Sequence, residues 1–206
     1  MAENPDELIK HPLIRGDPEE CYSKTIESFI TVETEKGDKV FGIAVYRKPS
    51  QEAVKEIRIE LTQENDIFYV ASKTFTEEQF NQKYMKDKKK VKFNFDSFMD
   101  NIEKVIANVN GNRTAFSAHF ENNILKFKQK LQYKKVDLFD IEFDILKRDD
   151  EYTEDQAQFR FNQKQTKCDA LKESYAQLLD FVKRNNKQLY TQITRGQDFN
   201  ASRTMK

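Results

Sequence analysis

Residues 133–146 read YKKVDLFDIEFDIL: a Tyr-Lys-Lys tip, then a segment in which Phe139, Ile141, Phe143 and Ile145 alternate with Asp140, Glu142 and Asp144. Side chains on a strand point to opposite faces in turn, so this pattern predicts an antiparallel strand with one face buried and the other in water. Shortly after it ends, a polar pattern with helical spacing begins and runs nearly to the C-terminus. The expected class is therefore α+β: a β-sandwich or barrel passing directly into one long helix. A small β head on a helical stalk is the build of an assembly component.

Working towards the N-terminus, the same alternation recurs. SKTIESFITVET, beginning after Cys21, ends at Glu35-Lys36-Gly37-Asp38, whose Gly-Asp pair supplies the turn chemistry for a hairpin into VFGIAVYR. Pro49 and Ser50 close that second strand. A third spans Lys55 to Thr62, with Ile57, Ile59 and Leu61 on one face, and Gln63-Glu64-Asn65-Asp66 turns the chain into a fourth, IFYVASKTF. Thr76-Glu-Glu-Gln79 then has the spacing of a capping box, which predicts a short helix to Met85. After the lysines at 88–90, Phe95, Phe98, Met99, Ile102, Ile106 and Val109 recur at three- and four-residue steps, so a second helix should lie on the sheet by one apolar face. Gly111 and the asparagines around it end it. TAFSAHFE and ILKFKQKL, joined at Asn122-Asn123, and the strand from Val136 complete an expected seven-stranded antiparallel head with a helical insertion after the fourth strand. Lys126, Lys128 and Lys130 are expected to face Asp140, Glu142 and Asp144 across the ladder.

Composition narrows the function classes. The chain has 206 residues, 35 basic and 35 acidic, so its net charge gives no reason to expect a surface built throughout for nucleic acid or an anionic membrane. Charged residues make up 34% of it, more than a compact core alone would carry. Cys21 and Cys168 are far apart and read as reduced thiols. No apolar run reaches the roughly 20 residues of a membrane span, and the start lacks a signal-peptide core, which suggests a cytoplasmic or nuclear protein. The expected organisation is a tail at 1–20 interrupted by Pro5, Pro12 and Pro18, a head at 21–150, a coiled-coil helix at 151–194 and a second tail at 195–206.

The stalk can be read in heptads. With Phe161, Cys168, Tyr175, Val182 and Leu189 at position a, Lys164, Leu171, Leu178, Asn185 and Gln192 fall at d. The seam is apolar in its middle and polar at its ends, with Asn185 as a polar register setter, which describes a weak coiled coil that would prefer a dimer. At about 1.5 Å per residue the helix would be on the order of 60 Å long. The alternative is that its apolar face folds back onto the head.

Chemistry-bearing constellations are sparse. His11 falls in the expected tail and His119 within a strand; neither is part of a metal-ligand spacing, and no glycine pattern cradles a phosphate. The acids Asp140, Glu142 and Asp144 read as the wet face of a strand, and the lysines of 86–92 as a solvated loop. No catalytic residue, cofactor site or metal site is expected, and the chain does not read as an enzyme.

The order of elements resembles the superfamily that joins a seven-stranded head with a helical insertion to a parallel coiled coil. Its members include DNA end-joining scaffolds and spindle assembly abnormal protein six, the hub of the centriolar cartwheel. CYSKTIESFITV, IRIELTQENDIFYVASKTFTEEQF and VKFNFDSFMDNIEKVI resemble the cartwheel branch in content and order, and YKKVDLFDIEF resembles its hairpin, where an aromatic or large aliphatic residue precedes a Lys. VFGIAVYRKPSQEAV is extra length, the hairpin aromatic is a Tyr, and the stalk is shorter than the family's rod. The resemblance implies a cytoplasmic structural protein of the centriole or basal body that pairs through its stalk. Tyr133 and Lys134 would make the head-to-head contact, and the partners would be further copies and other centriolar proteins, with no small molecule, membrane or cofactor. The alternatives are a nuclear end-joining scaffold, which would also approach DNA, or a non-enzymatic adaptor.

Overall fold

The computed structural model describes residues 10–15, 21–49, 54–85 and 94–201. The alternating segments form β1 (Ser23–Thr34), β2 (Gly37–Pro49), β3 (Val54–Gln63) and β4 (Asp66–Thr76), paired antiparallel in sequence order. The turn into β2 needs Gly37, whose φ of +102° is costly for any residue with a Cβ. Across these hairpins Ile30 faces Phe41, Val45 faces Ile59 and Leu61 faces Ala71, all fully buried, so the register carries the inner core.

The capping box forms as expected: Thr76 Oγ1 accepts the Gln79 N–H and the Gln79 side chain accepts the Thr76 N–H. It starts α1 (Glu77–Phe80), which continues as one π-helical turn to Met85. Asn94 Oδ1 accepts the Ser97 N–H at 2.8 Å and starts α2 (Phe95–Gly111). The face of α2 that meets the sheet carries Phe95, Phe98, Met99, Ile102, Val105, Ile106 and Val109. Phe98 packs edge-on against Phe80 at 4.8 Å and Phe139 at 5.8 Å. Each such ring contributes about 1.5–3 kcal/mol by burial. The lysines of 86–92 lie outside the described residues.

β5 (Phe116–Glu121) and β6 (Ile124–Lys130) are joined by Asn122 and Asn123, both at positive φ, the conformation that a two-residue hairpin loop demands. β7 (Lys135–Glu142) pairs with β6, and β8 (Asp144–Ile145) returns to pair with β4. The strand order is β7-β6-β5-β1-β2-β3-β4-β8. Two strands consecutive in sequence, β7 and β8, thus stand at opposite ends of one sheet, which curls to bring them together. This corrects the seven-stranded antiparallel expectation: β8 has two residues, too few to show a period, and β1 meets β5 in parallel at Glu33 and His119. A bulge between Phe127 and Lys128 also alters the expected lysine–acid ladder. Lys126 faces Asp140, but Lys128 faces Asp137, Glu142 faces Ile124, and Asp144 pairs with Lys73 of β4 at 3.3 Å.

The described residues fall into two compact units that divide between Arg160 and Phe161, whereas the head was expected to end at 150. The long helix α3 (Glu151–Asn185) spends its first turns in the first unit, burying Thr153, Gln156, Ala157 and Phe159. Arg160 donates to the carbonyl oxygens of Ile67 (2.7 Å) and Gln63 in the β3–β4 turn. Nor are residues 10–15 a loose tail: His11 is 3% exposed, stacked on Tyr46 at 4.7 Å and edge-on to Phe159 at 5.1 Å.

At the centre of this second core is Glu60, 1% exposed. Its Oε1 accepts from Tyr152 Oη at 2.6 Å and Arg58 Nε at 2.8 Å; its Oε2 lies 3.2 Å from Gln156 Nε2 and 3.4 Å from His11 Nε2. Burial alone would raise the carboxyl, but the His11 contact, the Arg58 charge and the Tyr152 hydroxyl outweigh it and hold it below the usual carboxylate range.

In the second unit, α3 gives way at Asn186 to α4 (Lys187–Ala201), with Asn186 Oδ1 capping the Leu189 N–H at 2.9 Å. The expected single helix is therefore broken there. The tail expected from 195 is helical to Ala201.

Candidate assembly interfaces

The β6–β7 hairpin closes when the Leu131 N–H donates to Lys134 O at 2.8 Å, with Lys130 opposite Lys135. Residues 131–134 project as its tip. Tyr133 is 90% exposed, Leu131 is also exposed, and Lys130, Lys134 and Lys135 surround them with positive charge. The ladder hydrogen bonds of β6 and β7 hold this tip in place.

Between β1 and α2 lies a cleft of about 290 Å³, lined by Thr25, Ile26, Glu27, Ser28, Glu103, Ile106 and Ala107. The buried Ile26 and Ile106 give it an apolar floor, small Ser28 and Ala107 leave it open, and on its exposed rim stand Glu103 and Glu27, the latter ion-paired with Lys24. Sequence reading missed this cleft because its two walls come from segments far apart in the chain. The available signal was Ala107, a small residue one turn after Glu103 on the wet side of α2.

Along the second unit, the expected seam residues Phe161, Cys168, Leu171, Tyr175, Leu178 and Leu189 are exposed on the single chain, Leu171 to 70%, while Val182 is half-buried. Exposed Phe181 was missed by the strict heptad, although a three-residue step from Leu178 leads to it. Asn185 Nδ2 donates to Phe181 O of its own helix at 2.8 Å, so its amide is turned to the backbone.

Among the described residues, one serine, one histidine and one acid come together. Ser117 Oγ, His119 Nε2 (3.1 Å), His119 Nδ1 and Glu33 Oε2 (3.1 Å) form a Ser-His-acid chain, but Ser117 is 6% exposed and closed to a substrate. Burial holds His119 below its usual pKa against the pull of Glu33, with Lys128, Lys135 and Lys130 adding to the depression; it is neutral at pH 7, part of a cross-strand contact. Among the described residues no cluster of three His, Cys, Asp or Glu could hold a metal, and no helix is long and apolar enough to cross a membrane.

The described residues thus give a curled eight-stranded sheet with an aromatic hairpin tip and an open cleft, and a separate helical unit with an exposed apolar stripe. The chain belongs to the centriolar SAS-6 family: residues 20–143 match the model of the centriolar protein SAS N-terminal domain. Solved structures with the same fold include a mutant N-terminal fragment of Leishmania SAS-6 containing parts of its coiled-coil domain. That fragment is 15% identical with a TM-score of 0.62, over 82% of this chain and 99% of that one. A Drosophila melanogaster Sas-6 N-terminal fragment dimerised via its coiled-coil domain is 14% identical (TM-score 0.53; 88% and 92% covered). The N-terminal coiled-coil dimer of C. elegans SAS-6 is 13% identical (TM-score 0.52; 75% and 98%). No curated protein sequence matches the chain.

Proposed function

We propose that this protein is a self-assembling structural element of the centriolar or basal-body cartwheel, built through two separate contacts. The stalks pair two chains in parallel along Leu171, Tyr175, Leu178 and Val182. The heads join when Tyr133 of one copy enters the β1–α2 cleft of another. The observation that carries this reading is the match between tip and cleft: an exposed aromatic ringed by lysines, and an apolar floor rimmed by Glu27 and Glu103. A single buried aromatic gives a weak contact, but dimeric stalks present two heads at once, so closing a ring lets many weak contacts act together. The angle between the contacts then sets the symmetry. Family membership favours this reading over the end-joining scaffold, which would be expected to bind a ligase partner and DNA.

The cleft is tested by Ala107→Arg. Ala107 is exposed and arginine is a good helix former, so the fold should tolerate it. The new side chain fills the cleft and repels Lys134, so association between heads, followed by light scattering against concentration, should fall at least tenfold. Unchanged scattering would remove the cleft from the account.

Cys168 tests the stalk. In a parallel, in-register pair its two copies lie side by side, within reach of the 4.4–6.8 Å Cα separation of a disulfide. A mild oxidant that takes two electrons and two protons from the thiols should yield a covalent dimer on a non-reducing gel, absent in Cys168→Ser. Failure to cross-link would argue against parallel pairing at this register.

A further inference from the structure

The seam between the sheet and the first turns of α3 is closed by residues 10–15, and it differs from the inner core in kind. The inner core interlocks Ile, Leu, Val and Phe side chains. The seam is polar: Glu60 accepts from Arg58, Tyr152 and Gln156 and faces His11 Nε2, which also lies 2.7 Å from the Gln156 amide, and Arg15 reaches Asp155 at 3.3 Å. It is also incompletely satisfied. Four buried side-chain nitrogen or oxygen atoms lack a partner among the described residues, and three of them, Arg15 Nη2, Thr153 Oγ1 and Gln156 Oε1, belong to residues of this seam.

The Gln156 amide cannot cure this by rotating. Leu13 N–H donates to His11 Nδ1 at 3.2 Å, which leaves Nε2 as the protonated nitrogen facing Glu60 and Gln156. Turning the amide would let Gln156 Oε1 accept from His11 at 2.7 Å, but its nitrogen would lose Glu60 in exchange. Closing the seam therefore buries several polar groups that opening would rehydrate, whereas beside the inner core only Tyr69 Oη is buried in this way among the described residues.

We propose that His11–Arg15 is a latch: it opens and closes as one unit with residues 152–160 of α3, while the sheet and α2 stay folded. His11 is its key, because it alone touches β2 through Tyr46, β3 through Glu60 and α3 through Gln156 and Phe159. The latch makes the attachment of α3 to the head a separate equilibrium, one that a protease or partner acting on this segment would shift. It holds whether or not heads associate.

The test is native-state hydrogen exchange on the full chain at pH 7. The amides of Leu13–Arg15 and of residues 154–160 should exchange with one common opening, faster than those of Ile43 and Ile59. His11→Ala, and more weakly Arg15→Gln, should accelerate both groups by the same factor, about tenfold or more for His11→Ala, and leave Ile43 and Ile59 unchanged. Acceleration confined to residues 13–15 would overturn the latch, as would a uniform change that includes Ile43 and Ile59. If His11→Ala does not fold, the wild type and Arg15→Gln decide, and unequal openings for the two groups contradict it.

Discussion

Tyr133→Glu is expected to abolish association between heads while leaving the stalk dimer and the fold untouched. The side chain is 90% exposed in the single chain, so nothing in the head depends on it. In the proposed contact it is the one residue that goes from water into the β1–α2 cleft, against Ile26 and Ile106. Truncating such an aromatic anchor typically costs about 2 kcal/mol or more, roughly 30-fold in affinity. Glutamate adds the desolvation of a carboxylate and brings it near Glu103 on the rim of the cleft. Oxidative cross-linking at Cys168 should persist in the same variant, because the stalk is a separate compact unit.

The second large effect concerns the fold. Glu60→Gln keeps the size of the side chain but removes the charge that Arg58, Tyr152 and His11 are arranged around. Breaking a buried pair by neutralising one partner strands the other, and costs about 3–5 kcal/mol. Urea unfolding at pH 7 should register that loss. The pH dependence follows from the depressed carboxyl. Its pKa is lower folded than unfolded, so the unfolded chain binds the proton first as pH falls. The contribution is complete above the ordinary carboxylate range and disappears as pH drops through the folded value. The variant should therefore lose stability mainly at neutral pH and show a flatter acid limb. Equal stability of the two proteins at pH 7 would show that the network contributes nothing net.

What was legible in the sequence was whatever a single element declares by its own period. The strands from Ser23 to Glu142 alternate because one face is buried, the seven buried residues of α2 include the six expected from spacing, and Thr76 and Gln79 announce their cap by chemistry alone. Contacts made across long stretches of chain declare nothing locally. Lys10–Arg15 contains a proline and no period, yet it is fixed by Glu60 and Gln156, which no neighbour of His11 in sequence could reveal. β8 is too short to show alternation, and Ile145, counted on the buried face, is exposed. The head's claim on α3 was hidden because Thr153, Gln156 and Ala157 look like any weakly apolar helical face. Tyr133 stood out because it is an aromatic beside two lysines at an expected hairpin tip, whereas the cleft comes from two walls that only the fold brings together.

The central claim is that two independent contacts build an assembly larger than a dimer, and sedimentation equilibrium of the full chain over a wide concentration range tests it most directly. The wild type should pass from dimer to higher species as concentration rises, and Tyr133→Glu should stop at the dimer. A wild type that never exceeds a dimer, or a variant that grows as the wild type does, would contradict it.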